Sequence, residues 1–301
     1  MTTTPERHTD ADKVALHARN VSFDWDGLPV QWIPREPFAS HLLNVLHLLL
    51  PEGERFFVRV FSDALPLIRD PQLREDVIGF IGQEGMHASA HQGAQDYLAS
   101  AGLDADGALS AYVDEIATLF HRMLGDRRLT GKAKEEWLVE RLAIISGIEH
   151  VTAFLGHWVL NSPGLDRAGA DPRMLDLLRW HGSEEVEHRS VAHDLYTHVD
   201  GRYPRRLRTY FVGGPGLIWL WVRGVRILMA ADPALPEGAK PRWRDLSRSR
   251  RRGVTPGYWD LAKFSVQYLR PSYHPSQVGS TEQAVAYLAK SPAALAAEQP
   301  G

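Results

Sequence analysis

The stretch WHGSEEVEHRS, residues 180–190, places two histidines and three glutamates within eight positions. Such charge runs ordinarily lie on a wet helix face, and the neighbouring residues decide whether this one does. At ~100° per residue, His181, Glu185 and His188, spaced i, i+4, i+7, fall on one narrow stripe. Leu177, Leu178, Ala192 and Leu195 share that stripe. It therefore reads as a core face with three cation-binding groups in its middle. Glu184 flanks the stripe, while Glu187 points well away from it and is expected to face solvent.

The same projection gives a matching result elsewhere. Glu84 and His87 form Glu-x-x-His on a face with Val77, Phe80 and Leu98, and His91 follows one turn on. Glu149 lines up with Leu138, Leu142, Ile145, Ala153 and Gly156, and Glu54 with Leu50 and Phe61. Charged carboxylates are almost never fully buried unless paired or bound to a cation. One buried glutamate reduces to an ion pair with an arginine, and a lone Glu-x-x-His is a weak signal in a chain with 14 histidines. The order Glu, Glu-x-x-His, Glu, Glu-x-x-His on successive long helices is much stronger. The expected metal ligands are Glu54, Glu84, His87, Glu149, His181, Glu185 and His188. His91, Glu184 and Thr152 are expected beside them, orienting ligands by hydrogen bonds or lining the pocket. No catalytic residue is expected beyond the ligands. His150 is rotated ~100° from Glu149 and is expected at the surface or in a supporting place. His157, His193 and His198 are expected to be structural or exposed.

Helical periodicity begins near Ala39, and no alternating strand pattern follows it. Pro51 marks a kink or a helix start. Asp70 with Pro71 and Asp171 with Pro172 carry the cap and first-position signals of two helices, and Thr130 is placed to cap another. Residues 172–199 read as one helix. The chain divides into an irregular lead-in (1–36), a helical bundle (37–202), and further helices with a Pro-rich tail (203–301). Hydrophobic residues are 44% of the 301, enough for a sizeable core. The absence of cysteine excludes disulfides, thiolate metal sites and a cysteine nucleophile. Metals would then be held by His, Asp and Glu, a set suited to Fe, Mn, Mg or Zn.

A net charge of −3 offers no case for nucleic acid. The arginines of 202–208 and 242–252 are expected to be solvated loop charges, with contact to an anionic partner as the minority reading. The N-terminal MTTTPERHTDADK lacks an apolar signal core, making the cytoplasm the default expectation. YFVGGPGLIWLWV, residues 210–222, falls short of the ~20 residues of a spanning helix. It is expected to be a buried or interfacial helix, with membrane-surface contact a weak option. No nucleophile elbow or phosphate loop stands out.

The ligand order resembles the ferritin-like di-iron carboxylate proteins. That resemblance implies an all-α, ferritin-like four-helix bundle with additional C-terminal helices. Glu54 with Glu84 and His87 would form one half-site, Glu149 with Glu185 and His188 the other, and 105–125 would belong to the crossover. The cofactor would be two metal ions, iron first, with Mn or Zn as alternatives. Residues 40–200 also resemble a bacterial family of predicted metal-dependent hydrolases, through FFVRVFSDAL after PEGE, GQEGMHASAH, IEHVTAFLGH and HGSEEVEH. His181-x-x-x-Glu185-x-x-His188 is similar to the ligand helix of di-iron arylamine N-oxygenases, where an additional His is a seventh ligand. The resulting expectation is an oxygenase that oxidises a small apolar or aromatic substrate with O2 and an electron donor. A metal-dependent hydrolase is the alternative, and a non-enzymatic iron-binding protein a third reading. A homodimer is a further expectation.

Overall fold

The computed structural model describes residues 13–125 and 128–298, and among them the regular elements are all helical. They are α1 (Pro37–Asn44), α2 (Leu46–Ala64), α3 (Pro71–Leu98), α4 (Ala108–Leu124), α5 (Gly131–Leu160), α6 (Pro163–Arg167) and α7 (Pro172–His188). After these come α8 (Val191–Val199), α9 (Tyr203–Ala231), α10 (Trp243–Arg251), α11 (Tyr258–Tyr268), α12 (Thr281–Leu288) and α13 (Pro292–Ala297). The Asp-Pro starts work as their chemistry dictates. Asp70 accepts from the Leu73 amide and Asp171 from the Arg173 amide, satisfying donors that a helix start leaves free. Thr130 heads α5 without a side-chain cap.

Helix α2 packs along α3, and α5 along α7 and α8; α2 also meets α5, and α3 meets α7 and α8. Two apolar cores sit at either end of this arrangement. One joins Phe56, Phe57, Val60 and Phe61 to Val77, Phe80, Leu142, Ile145 and Leu195. The other joins Trp32, Ile33 and Leu43 to Leu177, Leu178 and Trp180. Each such side chain contributes roughly 1.5–3 kcal/mol on burial, which lets the polar residues between the cores be held dry. Helices α5 and α7 meet at glycine. A Cβ on Gly156 would lie 2.4 Å from the Gly182 carbonyl oxygen, so a larger residue would force the helices apart.

Several expectations change in three dimensions. The first helix breaks at Val45, and Pro51 lies inside α2. The segment read as one helix over 172–199 divides immediately after His188, at Arg189 and Ser190. The lead-in is irregular but tied down. Trp32 donates to Asn44 at 2.8 Å, and Leu16, Ala18 and Trp25 press onto α3 where Gly79, Gly82 and Gly93 leave room. The arginine runs sit on helices or at their ends and are largely paired. Arg202 and Arg205 reach Glu136, Arg208 reaches Glu140, and Arg248 and Arg252 clamp the buried Glu36. The tail folds back, with Asp176 of α7 accepting from Tyr287 and from the Ala293 amide. The apolar stretch 210–222 is part of a 29-residue helix, α9, the one described helix long and apolar enough to cross a membrane by length and composition.

Candidate metal centre

Between the two cores, α2, α3, α5 and α7 each send a glutamate inward. Glu54, Glu84, His87, Glu149, His181, Glu185 and His188 come together there, and His181, at 6% exposure, is the least buried of the seven. Glu84 and Glu185 lie at the centre, each turning one oxygen to either side. Glu84 Oε1 is 3.3 Å from His188 Nε2 and its Oε2 is 3.8 Å from His87 Nδ1. Glu185 Oε2 is 3.4 Å from His188 Nε2, and its Oε1 is 3.6 Å from His87 Nδ1 and 2.7 Å from His181 Nε2. Glu149 stands on the His188 side, 3.5 Å from Nε2, and Glu54 on the other, 3.7 Å from His181 Nε2. The donor atoms form overlapping clusters able to hold a cation, among them Glu54–Glu84–His87, His87–His181–Glu185 and Glu84–Glu185–His188.

The inward atoms also lack hydrogen bonds. Both oxygens of Glu54 and of Glu84, one oxygen each of Glu149 and Glu185, His87 Nδ1 and His188 Nε2 are buried without a hydrogen-bond partner. Leaving one such group unsatisfied costs ~1–3 kcal/mol, more when it is charged. Eight of them facing one another fit a site built for cations, because coordination satisfies every atom at once. Oxygen and imidazole donors without sulfur suit Fe, Mn or Zn.

The outward atoms are satisfied. Arg19 donates to Glu184 at 2.6 Å and to Glu187 at 3.1 Å, and His87 Nε2 donates to Glu184 at 2.9 Å. Gln83 donates to Glu187 through Nε2, so its Oε1 is left to accept from His188 Nδ1 at 3.0 Å. The two histidines are thereby fixed with the opposite nitrogen facing the cluster. His181 Nδ1 meets His91 Nε2, and His91 Nδ1 meets His47 Nδ1 at 2.8 Å. Thr152 hydrogen-bonds back to its own helix at the Glu149 carbonyl and approaches the Glu149 carboxyl at 3.4 Å. The Phe80 ring lies against His188 and Trp180 against His87.

Electrostatics follow from this crowding. Burial, with repulsion from Glu84, holds the Glu54 carboxyl well above the usual range, and burial beside Glu185 pushes Glu149 up to about 8. For His188, burial opposes the charged form but Glu185 and Glu149 outweigh it, raising the imidazole to about 10. His87 is likewise raised well above its ordinary value against burial, by Glu184 and Glu84. Glu185 is held low despite burial, by His188 and His181. Burial lowers His47 to about 3 and takes His91 well below its ordinary value. Without cations, Glu149 and His188 hold protons at neutral pH and offset part of the crowded charge.

Glu187 is buried rather than solvated, because residues of the lead-in cross α7 and set Arg19 against it. His150 is buried away from the cluster, stacked on Phe264 and bonded to the Phe264 carbonyl and the Tyr273 hydroxyl. Sequence reasoning also passed over Gln83, Arg19 and His47. Gln83 carried a faint signal, being a polar residue beside Glu84 in an otherwise apolar and small-residue turn.

A cleft of about 40 Å³ reaches the cluster between α2, α5 and α7, lined by Leu46, Leu50, Leu155, Leu178 and Trp158 and ending on Thr152, His181 and Glu185. A larger surface pocket of about 270 Å³ lies between α1, α10 and the 235–242 loop and touches none of these residues.

A family model described as predicted metal-dependent hydrolase matches residues 17–279. The chain belongs to that family. The match takes in every residue of the cluster, and the metal dependence in the family's description agrees with the unsatisfied inward atoms. Comparison with curated proteins and with solved structures gave no match.

Proposed function

We propose that this member of the predicted metal-dependent hydrolases binds two metal ions in the buried cluster and uses them to hydrolyse a small substrate with an apolar chain. The convergence of the unsatisfied carboxylate and imidazole atoms supports the metal assignment. Glu84 and Glu185 would be shared between the ions, Glu54, His87 and His181 would complete one site, and Glu149 and His188 the other. Cations there would lower the pKa of a coordinated water and polarise an ester or phosphate. The protein does the rest. Arg19 through Glu184, and Gln83, hold His87 and His188 in the tautomers that aim a lone pair inward. Leu46, Leu50, Leu155 and Trp158 line the narrow approach with apolar surface and exclude bulk water, an apolar chain entering only as these side chains part, and Thr152 offers a hydroxyl where the cleft meets the cluster.

A second reading is O2-dependent oxidation on a ferritin-like di-iron centre. It is favoured by one specific observation, the presence of His181 beside Glu54 and Glu185 as an additional imidazole. One experiment separates the two. Protein loaded with Zn(II), Mn(II) or Fe(II) is assayed against short- and long-chain p-nitrophenyl esters and a phosphate monoester, while the Fe(II) form is mixed with O2 and followed optically. Ester or phosphate cleavage with a silent O2 reaction supports hydrolysis. An Fe(II)- and O2-dependent absorption band without cleavage replaces it with the oxidative reading.

A further inference from the structure

Helix α9 is attached at its ends and stands clear in its middle. Thr209 is buried 3.4 Å from the Ala143 carbonyl of α5, its hydroxyl nearer the carbonyls of its own helix, and Arg205 and Arg208 pair with Glu136 and Glu140 of α5. Trp221 donates to the Leu42 carbonyl at 2.8 Å and the Leu220 carbonyl accepts from Tyr112 at 2.7 Å. The inner stripe between these anchors carries Gly213 and Gly216. A Cβ at either, or at Gly214, would meet nothing within 4 Å. The helix thus bridges α5 and the α1–α2 corner, the same two walls whose Leu43, Leu46, Thr152 and Leu155 line the cleft to the metal cluster.

The outer stripe is apolar and open. Phe211 (60% exposed), Val212 (74%), Ile218 (67%), Trp219 (56%) and Val222 (42%), with Pro215, fall within roughly 120° of the helix circumference. Arg208 and Arg226 lie on that same stripe at its two ends, about 27 Å apart at the helical rise. Residues 201–231 contain six arginines and no aspartate or glutamate. Arg208 and Arg223 are paired with Glu140 and Glu115, and Arg226 is exposed.

We infer that α9 seats the protein on an anionic lipid surface, with the helix axis lying along the interface. An unbroken apolar stripe with arginines at both ends matches a headgroup–acyl boundary, with the guanidinium groups at headgroup level and tryptophan at the edge. The buried inner anchors keep the helix along the body rather than across the bilayer. The surface would deliver acyl-chain substrates to the adjoining cleft, a consequence that rests on the proposed function; the docking itself does not.

The test is sedimentation of metal-loaded and chelator-treated protein with phosphatidylcholine vesicles, with and without about one part in three phosphatidylglycerol. Phe211→Asp with Ile218→Asp should weaken partition at least ~tenfold. Ile78→Asp, an exposed apolar position on α3, should leave it unchanged. Arg226→Gln should weaken binding to the anionic vesicles alone, by about fivefold. Unchanged melting temperatures establish that the variants are folded. Failure of the parent protein to sediment with anionic vesicles overturns the inference. So does light scattering that shows a dimer split by the double substitution, which would make a second copy the occupant. Binding independent of metal separates this result from any failure of the metal centre.

Discussion

Raising the pH from 6 to 8 should tighten metal binding at least a thousandfold. The cluster holds protons where cations would go, and the two compete. His188 is raised to about 10 and Glu149 to about 8, so both are protonated at pH 7 and both must lose a proton on loading. At 1.36 kcal/mol per unit, expelling the His188 proton at pH 7 costs about 4 kcal/mol and the Glu149 proton about 1.4 kcal/mol. The logarithm of the association constant should therefore rise by about two per pH unit between 6 and 7, and by about one above pH 8. Metal-free stability runs the other way. A folded pKa raised above the unfolded value stabilises fully below the unfolded value and loses that contribution as pH climbs through the folded one. For Glu149 the window is from 4.5 to about 8, and for His188 from 6.5 to about 10. The gap in melting temperature between loaded and chelated protein should then widen with pH. Competition titration of Zn(II) or Mn(II) against a chromophoric chelator, with proton release in weakly buffered solution, measures both quantities. An affinity that is flat between pH 6 and 8, or release of less than one proton, would refute the reasoning.

Four further outcomes are expected. Glu84→Ala with Glu185→Ala removes both shared carboxylates and should abolish metal content by elemental analysis; retention of two ions per chain would contradict the assignment. Arg19→Ala leaves Glu184 and Glu187 buried without their cation and should cost about 3 kcal/mol by denaturant titration, a loss under about 1 kcal/mol counting against a structural role. Burial lowers His150 to about 3, so the folded state keeps it neutral and its contribution is lost as pH falls from 6.5 toward that value. His150→Phe should accordingly flatten the acid side of the stability curve by about 1.4 kcal/mol per pH unit, measured by urea melts at pH 7 and 5. Gly156→Ala should cost about 1–3 kcal/mol through overpacking against Gly182 and reduce metal loading, and a variant with parental melting temperature and metal content would show that the close approach is dispensable.

Much of the cluster was legible in the sequence because a helix converts spacing into direction. His181, Glu185 and His188 had to share a face with Leu177 and Leu195, and that face had to be buried somewhere. Glu187 shows where the method stops. Its direction away from the stripe was read as solvent, but direction on one helix says nothing about what a segment 168 residues earlier lays over it. His150 fails in the same way, covered by α11 and Tyr273 from more than a hundred residues later. The arginine runs looked solvated because their partners Glu136, Glu140 and Glu36 are far away in sequence.

The sequence by itself determined the helical periodicity, the Asp-Pro helix starts, the absence of thiolate ligands and the inward side of each carboxylate-bearing helix. These are local properties, fixed by backbone geometry and side-chain chemistry over a few turns. Only the tertiary structure decided that Glu84 and Glu185 each face both sides of the cluster, that Gln83 and Arg19 fix the histidine tautomers, and that α9 leaves an apolar stripe uncovered. Those depend on how helices distant in the chain are set against one another, which packing of the whole molecule selects and no single window of sequence contains.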